Sequence, residues 1–476
     1  MDAKLARAEK ITLFVILLLA LGLRFYRLGA ESFWLDEIGH YRVATAPSLH
    51  ALFLGVKGHA AAAPLDYLLL RLYAAVVQPE TSFLIRLPYA LYGVLAVYLI
   101  YRLGRQIYSP SVGMASAFAL TVSAYHVYYS QEVRFYALSV VFGLLGLLTF
   151  FRALEQPTRR NLVTWSLVCL LSLYAHYFLA FQIAIQMIYL VLFVRYHQHE
   201  KEKPLSSRHF FVAAGLAILL FLPWPLWANA GDLMAIKAAP LSLGIPFLLF
   251  LATLGDLHLV ILITGLVFAN LFWKPLAWLL LATGFLPFFA ALVADGVFGY
   301  FYNSRQIIFS LPPLILAASA GAALFGTLLY QWFSSNPSAP EKFSWAGPVA
   351  LAAFFLLGNV KQVAWFYKEN QKPDWARAAA YVLSQDPSSE HIGVMSERDS
   401  EELAFNLYGP TSDLQALPLL VSLDPTSIQQ FLLTYPDAWI IVSDETLAEL
   451  VSQIPPESII ASPAFYGLNL LHASTD

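Results

Sequence analysis

The acids Asp36 and Glu37 stand side by side in FWLDEIGHYRVA, just after the first apolar run of the chain. Charges so close to a bilayer boundary are costly, so a carboxylate pair kept there points to base or metal-assisted chemistry at a membrane surface. On a short interfacial helix, neighbouring side chains diverge by about 100°. One acid can then face a cavity while the other turns toward a metal, a cation or the loop backbone. The structural alternative is a helix N-cap followed by a first-turn acid.

A second constellation lies in SQEVRFY, residues 130–136. Glu132, Arg134 and Tyr136 place a carboxylate, a guanidinium and a hydroxyl near the end of one apolar run. Arginine stays charged and grips phosphate through paired N–H groups, which suits a lipid-phosphate headgroup. An internal Glu132–Arg134 ion pair pinning the loop is the other reading. Lys57 and His59, in KGHAAAAPLDYLLL, are placed to meet a phosphate, or His59 to complete a divalent-metal site with Asp36; a solvated loop accounts for His59 equally well. Arg305, in GYFYNSRQIIFSLPPL, either grips a phosphate together with Tyr302 or Gln306 or extends its charge to the headgroups. His40 and the His176–Tyr177 pair are weaker candidates that packing also explains. Asp256 and His258 interrupt LATLGDLHLVIL, a pattern typical of a cavity lining or re-entrant turn.

These residues must be positioned by membrane helices. The 476-residue chain is 59% hydrophobic and 12% charged, and its mean hydropathy is +0.63. Soluble domains carry about 25% charge, so the composition points to a bilayer. The net charge of −3 argues against nucleic acid as a partner. The single cysteine, Cys169, leaves no intramolecular disulfide. MDAKLARAEK followed by ITLFVILLLALGL has the start of a signal peptide without its small-residue cleavage site, and reads as an uncleaved first span.

Apolar runs occur at 11–28, 83–103, 111–126, 136–153, 161–174, 176–195, 210–228, 258–273, 276–294, 305–329 and 346–363, giving about eleven transmembrane helices. The segment 65–77 is too short for a comfortable span and carries Asp66 and Arg71. Lying along the interface, it leaves Arg102, Arg105, Arg152, Arg159, Arg160, Arg195, Lys201, Lys203 and Arg208 on the side of Lys4, Arg7 and Lys10. As a span it would move all of them to the opposite side, so the positive-inside rule selects the interfacial placement. The N-terminus is then cytoplasmic, and the loops holding Asp36 and Glu132 open on the same outer side, where they can share a cavity.

The predicted architecture is a polytopic α-helical membrane domain over 1–365, with a first outer loop and interfacial helices at 29–82, and a small soluble extracytoplasmic α/β domain over 366–476. In the latter, PDWARAAAYVLSQ, SIQQFLLTY and TLAELVSQI read as helices, and HIGVMS and AWIIVSD as short strands. Neither a GxGxxG nor a Walker-type phosphate loop occurs in it.

FWLDE, the GHAAAAPLDYLLLRL stretch ahead of RLPYALYGVLAVYLIYRLGRQIY, SAYHVYYSQEVRFYAL, RQIIFSLPPLILAASAG and KPDWARAAAYV together resemble the GT-C glycosyltransferase superfamily. The similarity is to the branch of protein O-mannosyltransferases and the lipid A aminoarabinose transferase. It implies a polyprenyl-phosphate-linked sugar as donor, a glycan, lipid or protein acceptor, and hexosyl or pentosyl transfer on the outer face with inversion. It further implies Asp36 as general base, Glu37 supporting it or a bound cation, Glu132 and Arg134 shaping the donor site, and residence in a bacterial inner membrane. Two rivals remain. A lipid-linked oligosaccharide flippase or transporter usually shows matched interrupted spans in its two halves, and a polysaccharide polymerase or ligase centres on a large late outer loop. The chain shows one interrupted region, near Asp256, and its acids lie in the first two outer loops.

Overall fold

Up to Lys368, the regular elements among the described residues are all helical. The computed structural model describes residues 3–58, 63–199, 207–228, 265, 275–298, 304–333, 345–368, 372–385, 392–394, 405, 425–434, 437–442, 451–452, 459–461 and 464–474. In chain order the helices begin with α1 (Ala3–Phe25), α2 (Leu35–Ala44), α3 (Leu49–Gly58), α4 (Pro64–Val77), α5 (Ser82–Ile107) and α6 (Pro110–Val122). There follow α7 (Ala124–Tyr129), α8 (Tyr136–Glu155), α9 (Arg159–Ala175), α10 (Leu179–His199), α11 (Ser207–Phe221) and α12 (Pro223–Ala228). The helical part closes with α13 (Pro275–Phe298), a 3-10 helix (Ser304–Ser310), α14 (Leu311–Phe333) and α15 (Ala346–Lys368).

Among the described residues, six stretches are long and apolar enough to cross a membrane: Ser82–Ile107, Tyr136–Glu155, Ser207–Ala228, Pro275–Val293, Ser304–Trp332 and Ala346–Lys368. Pro110–Val122 and Leu179–Phe193 are shorter apolar helices. With 14 residues, α4 reaches only about 21 Å, short of a hydrocarbon core of about 30 Å. The expected span at 258–273 lies outside the described residues except at Gly265.

Two apolar runs that read as continuous are broken. The run 111–126 is interrupted at Ser123, which ends α6 and caps α7 by accepting from the His126 amide at 3.4 Å. The carbonyls freed at the end of α6 are met by a buried arginine: Arg24 donates to Leu120 O at 3.1 Å and Thr121 O at 3.3 Å. The Asn359 side chain accepts from the Ala124 amide at 3.2 Å. The run 210–228 breaks before Pro223, which has no N–H to continue α11 and starts α12. A reading by apolar runs passes over both breaks because neither carries an Asp, Glu, Lys or Arg.

The chain divides into two units. One comprises Met1–Tyr26, Pro47–Leu69 and Pro88–Trp365; the other comprises Arg27–Ala46, Leu70–Leu87 and Phe366–Asp476. In the first, α1 packs on α6, α6 on α14, α14 on α13, α13 on α10, α10 on α11, α11 on α9, and α9 on α8.

The second unit adds α16 (Trp375–Gln385), β1 (Ile392–Val394), α17 (Pro425–Thr434), β2 (Asp437–Val442), β3 (Ile459–Ala461), β4 (Ala464–Phe465) and β5 (Leu468–Ser474). The sheet runs β1-β2-β5-β3, with β4 also on β5; β1 and β2 are parallel and the other pairs antiparallel. Ile440 faces Leu471 in the central register. Trp375, Ala378, Ala379 and Val382 recur at helical spacing along α16 and bury against Trp439, Ile441, Leu468 and Leu470. The tight β4–β5 turn requires positive φ at Gly467, where φ is +70°.

Candidate active site

The acid loop belongs to the second unit. Trp34, not an acid, occupies the N-cap of α2 and makes no side-chain cap bond; Asp36 and Glu37 lie in the first turn. Negative charge is favoured there by the helix dipole. The two acids diverge as their spacing requires. Glu37 lies on the buried face with Ile38, His40, Tyr41 and Ala44, whereas Asp36 is half-buried.

Glu37 is gripped by two cations. Arg86 donates from Nε to Oε1 at 2.9 Å and from Nη2 to Oε2 at 2.7 Å, and Lys372 Nζ donates to Oε2 at 2.8 Å. Burial pushes the carboxyl up, but the Arg86 and Lys372 charges and hydrogen bonds outweigh it and hold Glu37 at about 2. It is therefore ionised. Arg86 also donates to Glu31 O at 2.8 Å, Ser32 O at 3.0 Å and Leu28 O at 3.3 Å, with its guanidinium 4.4 Å from the Phe33 ring centroid. Phe405 packs edge-on against Phe33 and Tyr41. The Ser32 hydroxyl accepts from the Ala376 amide at 2.9 Å, and Arg27, at φ 58°, donates to Tyr367 O.

The second constellation belongs to the first unit. Gln131 fixes its loop to the end of α1, donating from Nε2 to Arg24 O at 3.0 Å, Tyr26 O at 3.1 Å and Leu23 O at 3.4 Å. Glu132 follows, buried, with Arg134 and Arg305 each partly exposed. The Arg134 guanidinium lies 5.4 Å from the ring of Phe135 and 6.0 Å from that of Tyr136, and Arg305 lies 5.6 Å from the same Tyr136 ring. Tyr129 meets Tyr136 edge-on at 5.0 Å. Burial and then Glu132 raise the Tyr129 phenol, while Arg305 opposes them, so all three share one electrostatic environment. Phe135 rests 4.4 Å from the ring of His176, whose Nδ1 accepts from the Phe178 amide at 3.0 Å. An imidazole that accepts at one nitrogen is neutral, so His176 is a packing partner and not a further cation.

The sequence-predicted Glu132, Arg134, Tyr136 and Arg305 are therefore brought together. Lys57 is elsewhere in that unit, exposed, with Nζ 5.2 Å from the Trp227 ring. Trp227 borders an apolar groove of about 610 Å³ whose walls include Phe53, Leu65, Leu68, Leu171 and Trp224. His59, Tyr302, Asp256 and His258 lie outside the described residues. His40 is fully buried in α2, and Tyr177 accepts from Trp224 Nε1 at 2.7 Å.

Of the expected metal pair, Asp36 is half-buried and His59 lies outside the described residues. Among the described residues, no three His, Cys, Asp or Glu side chains group as metal ligands, and Glu37 faces two cations. Sequence reasoning missed Arg86 and Lys372. The available signal was a charge inside an apolar helix, Arg86 in SFLIRLPYA, which is rarely kept without a partner.

The family described as dolichyl-phosphate-mannose-protein mannosyltransferase matches residues 61–227. Among curated proteins, none matches the chain by sequence. ArnT from Cupriavidus metallidurans in its apo state is similar in structure, with a TM-score of 0.59 at 12% identity, covering 96% of this chain and 97% of that one. The same enzyme bound to undecaprenyl phosphate gives a TM-score of 0.52 at 12% identity over 97% and 98%. The oligosaccharyltransferase AglB from Archaeoglobus fulgidus, in complex with an inhibitory peptide and a dolichol-phosphate, gives 0.59 at 12% identity over 94% of this chain and 70% of its own. The chain shares its fold with these solved structures over nearly its whole length, and the family model matches within that shared region.

Proposed function

We propose that the protein transfers one glycosyl unit from a polyprenyl-phosphate donor to an acceptor outside the cytoplasm, from within a bacterial inner membrane that it crosses about eleven times. The observation that carries this reading is the unequal treatment of the tandem acids. Glu37 is buried and charge-paired by Arg86 and Lys372, while its neighbour Asp36 stays half-buried at the start of α2. One acid holds the loop; the other does chemistry. Neighbours of this fold bound to undecaprenyl phosphate and dolichol-phosphate support the donor class.

In the proposed step, Asp36 takes the proton from the acceptor hydroxyl or amine. The acceptor's lone pair forms a bond to the sugar's anomeric carbon as the bond from that carbon to the phosphate oxygen breaks. The lipid phosphate leaves with the bonding electrons, and the anomeric configuration inverts. Arg134 and Arg305 stabilise the departing phosphate, with more effect in a low-dielectric headgroup region than in water. The apolar groove beside Trp227 suits the lipid portion of the donor, and the exposed Lys57 next to Trp227 suits its phosphate.

The test is turnover of undecaprenyl-phosphoryl mannose and undecaprenyl-phosphoryl aminoarabinose by the purified protein with candidate acceptors. The expected products are undecaprenyl phosphate and a glycoside of inverted configuration. Movement of an intact lipid-linked sugar across vesicles, with no bond cleavage, would support the transporter instead.

A further inference from the structure

Glu37 follows the proposed base directly, is 0% exposed, and has both carboxylate oxygens engaged. Its partners come from distant parts of the chain: Arg86 from the start of α5, Lys372 from the segment before α16, 335 positions away. Burying such charges is unfavourable unless each is compensated by good geometry and hydrogen bonds. Here one carboxylate takes three charge-assisted bonds, and Arg86 directs further N–H groups at the carbonyls of Leu28, Glu31 and Ser32. The Lys372 ammonium also lies 5.6 Å from the ring of Trp34, the N-cap that makes no side-chain cap bond of its own. Two residues beyond Asp374, the Ala376 amide reaches the Ser32 hydroxyl. The acid loop is held from both sides, and one side is built by the chain that follows the last apolar helix.

We propose that Lys372 is a positioning residue for glycosyl transfer: through Glu37 it fixes the first turn of α2 and so the direction in which Asp36 presents its carboxylate. The inference rests on Asp36 being the base. It assigns the segment opening the C-terminal unit a part in catalysis, because misplacement of a catalytic group by about 1 Å can lower a rate by about a hundredfold.

The experiment compares full-length wild type, Lys372→Met, Lys372→Arg, Glu37→Gln and the Glu37→Gln/Lys372→Met double variant, with Asp36→Asn in parallel. Turnover is measured with whichever undecaprenyl-phosphoryl sugar the wild type consumes, and undecaprenyl phosphate affinity reports on the folded state. Lys372→Met is expected to lower kcat roughly ten- to hundredfold with undecaprenyl phosphate affinity unchanged. Lys372→Arg, which keeps a charged donor to the carboxylate, recovers kcat to within about threefold. In the Glu37→Gln background, loss of the lysine adds less than about twofold, as expected for residues acting as one unit. Should Lys372→Met fail to bind undecaprenyl phosphate, the same contrast is read between Lys372→Gln and Lys372→Arg. Wild-type kcat in Lys372→Met, equal losses in the Met and Arg variants, or an undiminished lysine effect without Glu37 would each overturn the inference. If Asp36→Asn loses turnover in that event, the base assignment stands and only the positioning role falls; an active Asp36→Asn overturns both.

Discussion

The acid loop and the Arg134–Arg305 cluster both combine basic side chains with a buried glutamate, yet they are finished differently. Around Glu37 every charged member is buried, with Arg86 2% and Lys372 7% exposed. Around Glu132 the carboxylate is buried but both arginines remain partly exposed, supported by the faces of Phe135 and Tyr136. A closed, mutually bonded set fixes geometry. The second set leaves its arginines partly exposed against the Phe135 and Tyr136 rings, which suits the anion-binding role proposed for them. The proposed division between holding and binding rests on burial more than on residue type.

The largest effect that could break this contrast is on stability. Arg86→Met leaves the Glu37 carboxylate short of its main partner, and breaking a buried pair costs about 3–5 kcal/mol. Chemical denaturation in detergent should show a loss of that order. A loss within about 0.5 kcal/mol, as at an ordinary surface site, would mean that the cluster is not a clamp.

Acid should release the same clamp. The folded-state pKa of Glu37 is lowered from 4.5 to about 2. Its contribution is thus complete above the unfolded value and lost as pH falls through the folded one. By linkage this amounts to about 3 kcal/mol lost between roughly pH 5 and pH 2. Glu37→Gln should flatten that part of the stability profile; an identical acid limb in the variant would assign it to other carboxylates.

Binding is the third test. Arg134→Ala should weaken undecaprenyl phosphate affinity about ten- to hundredfold, the range for a charge-assisted hydrogen bond of about 1.5–3 kcal/mol, and Arg134→Lys should weaken it less. Equal affinities for wild type and both variants would remove Arg134 from the phosphate site. Smallest of all, Lys57→Ala should reduce affinity at most about fivefold, since an exposed ion pair with the phosphate is worth about 0.2–1 kcal/mol. A larger loss would move the main phosphate contact from Arg134 to Lys57.

Much of the fold was legible because its elements repeat at short range. Apolar runs gave most of the helices, and the spacing of Trp375, Ala378, Ala379 and Val382 gave the packed face of α16. The divergence of Asp36 from Glu37 follows from one residue of helical rotation. The partners of Glu37 were not legible, because 49 and 335 positions separate them from it and only the tertiary fold brings them near. The same holds for Arg24, which meets carbonyls of α6 97 and 96 positions away. The break at Ser123 was missed for another reason: capping chemistry decides it, and no charged residue marks the place.

The most direct test of the central claim is transfer by Asp36→Asn. The variant keeps the shape of the side chain and removes its capacity to accept a proton. Undecaprenyl phosphate affinity should stay at the wild-type level while turnover falls at least about a hundredfold, the low end for loss of a general base. Turnover equal to wild type would contradict the account and leave the tandem acid as a structural feature of the loop.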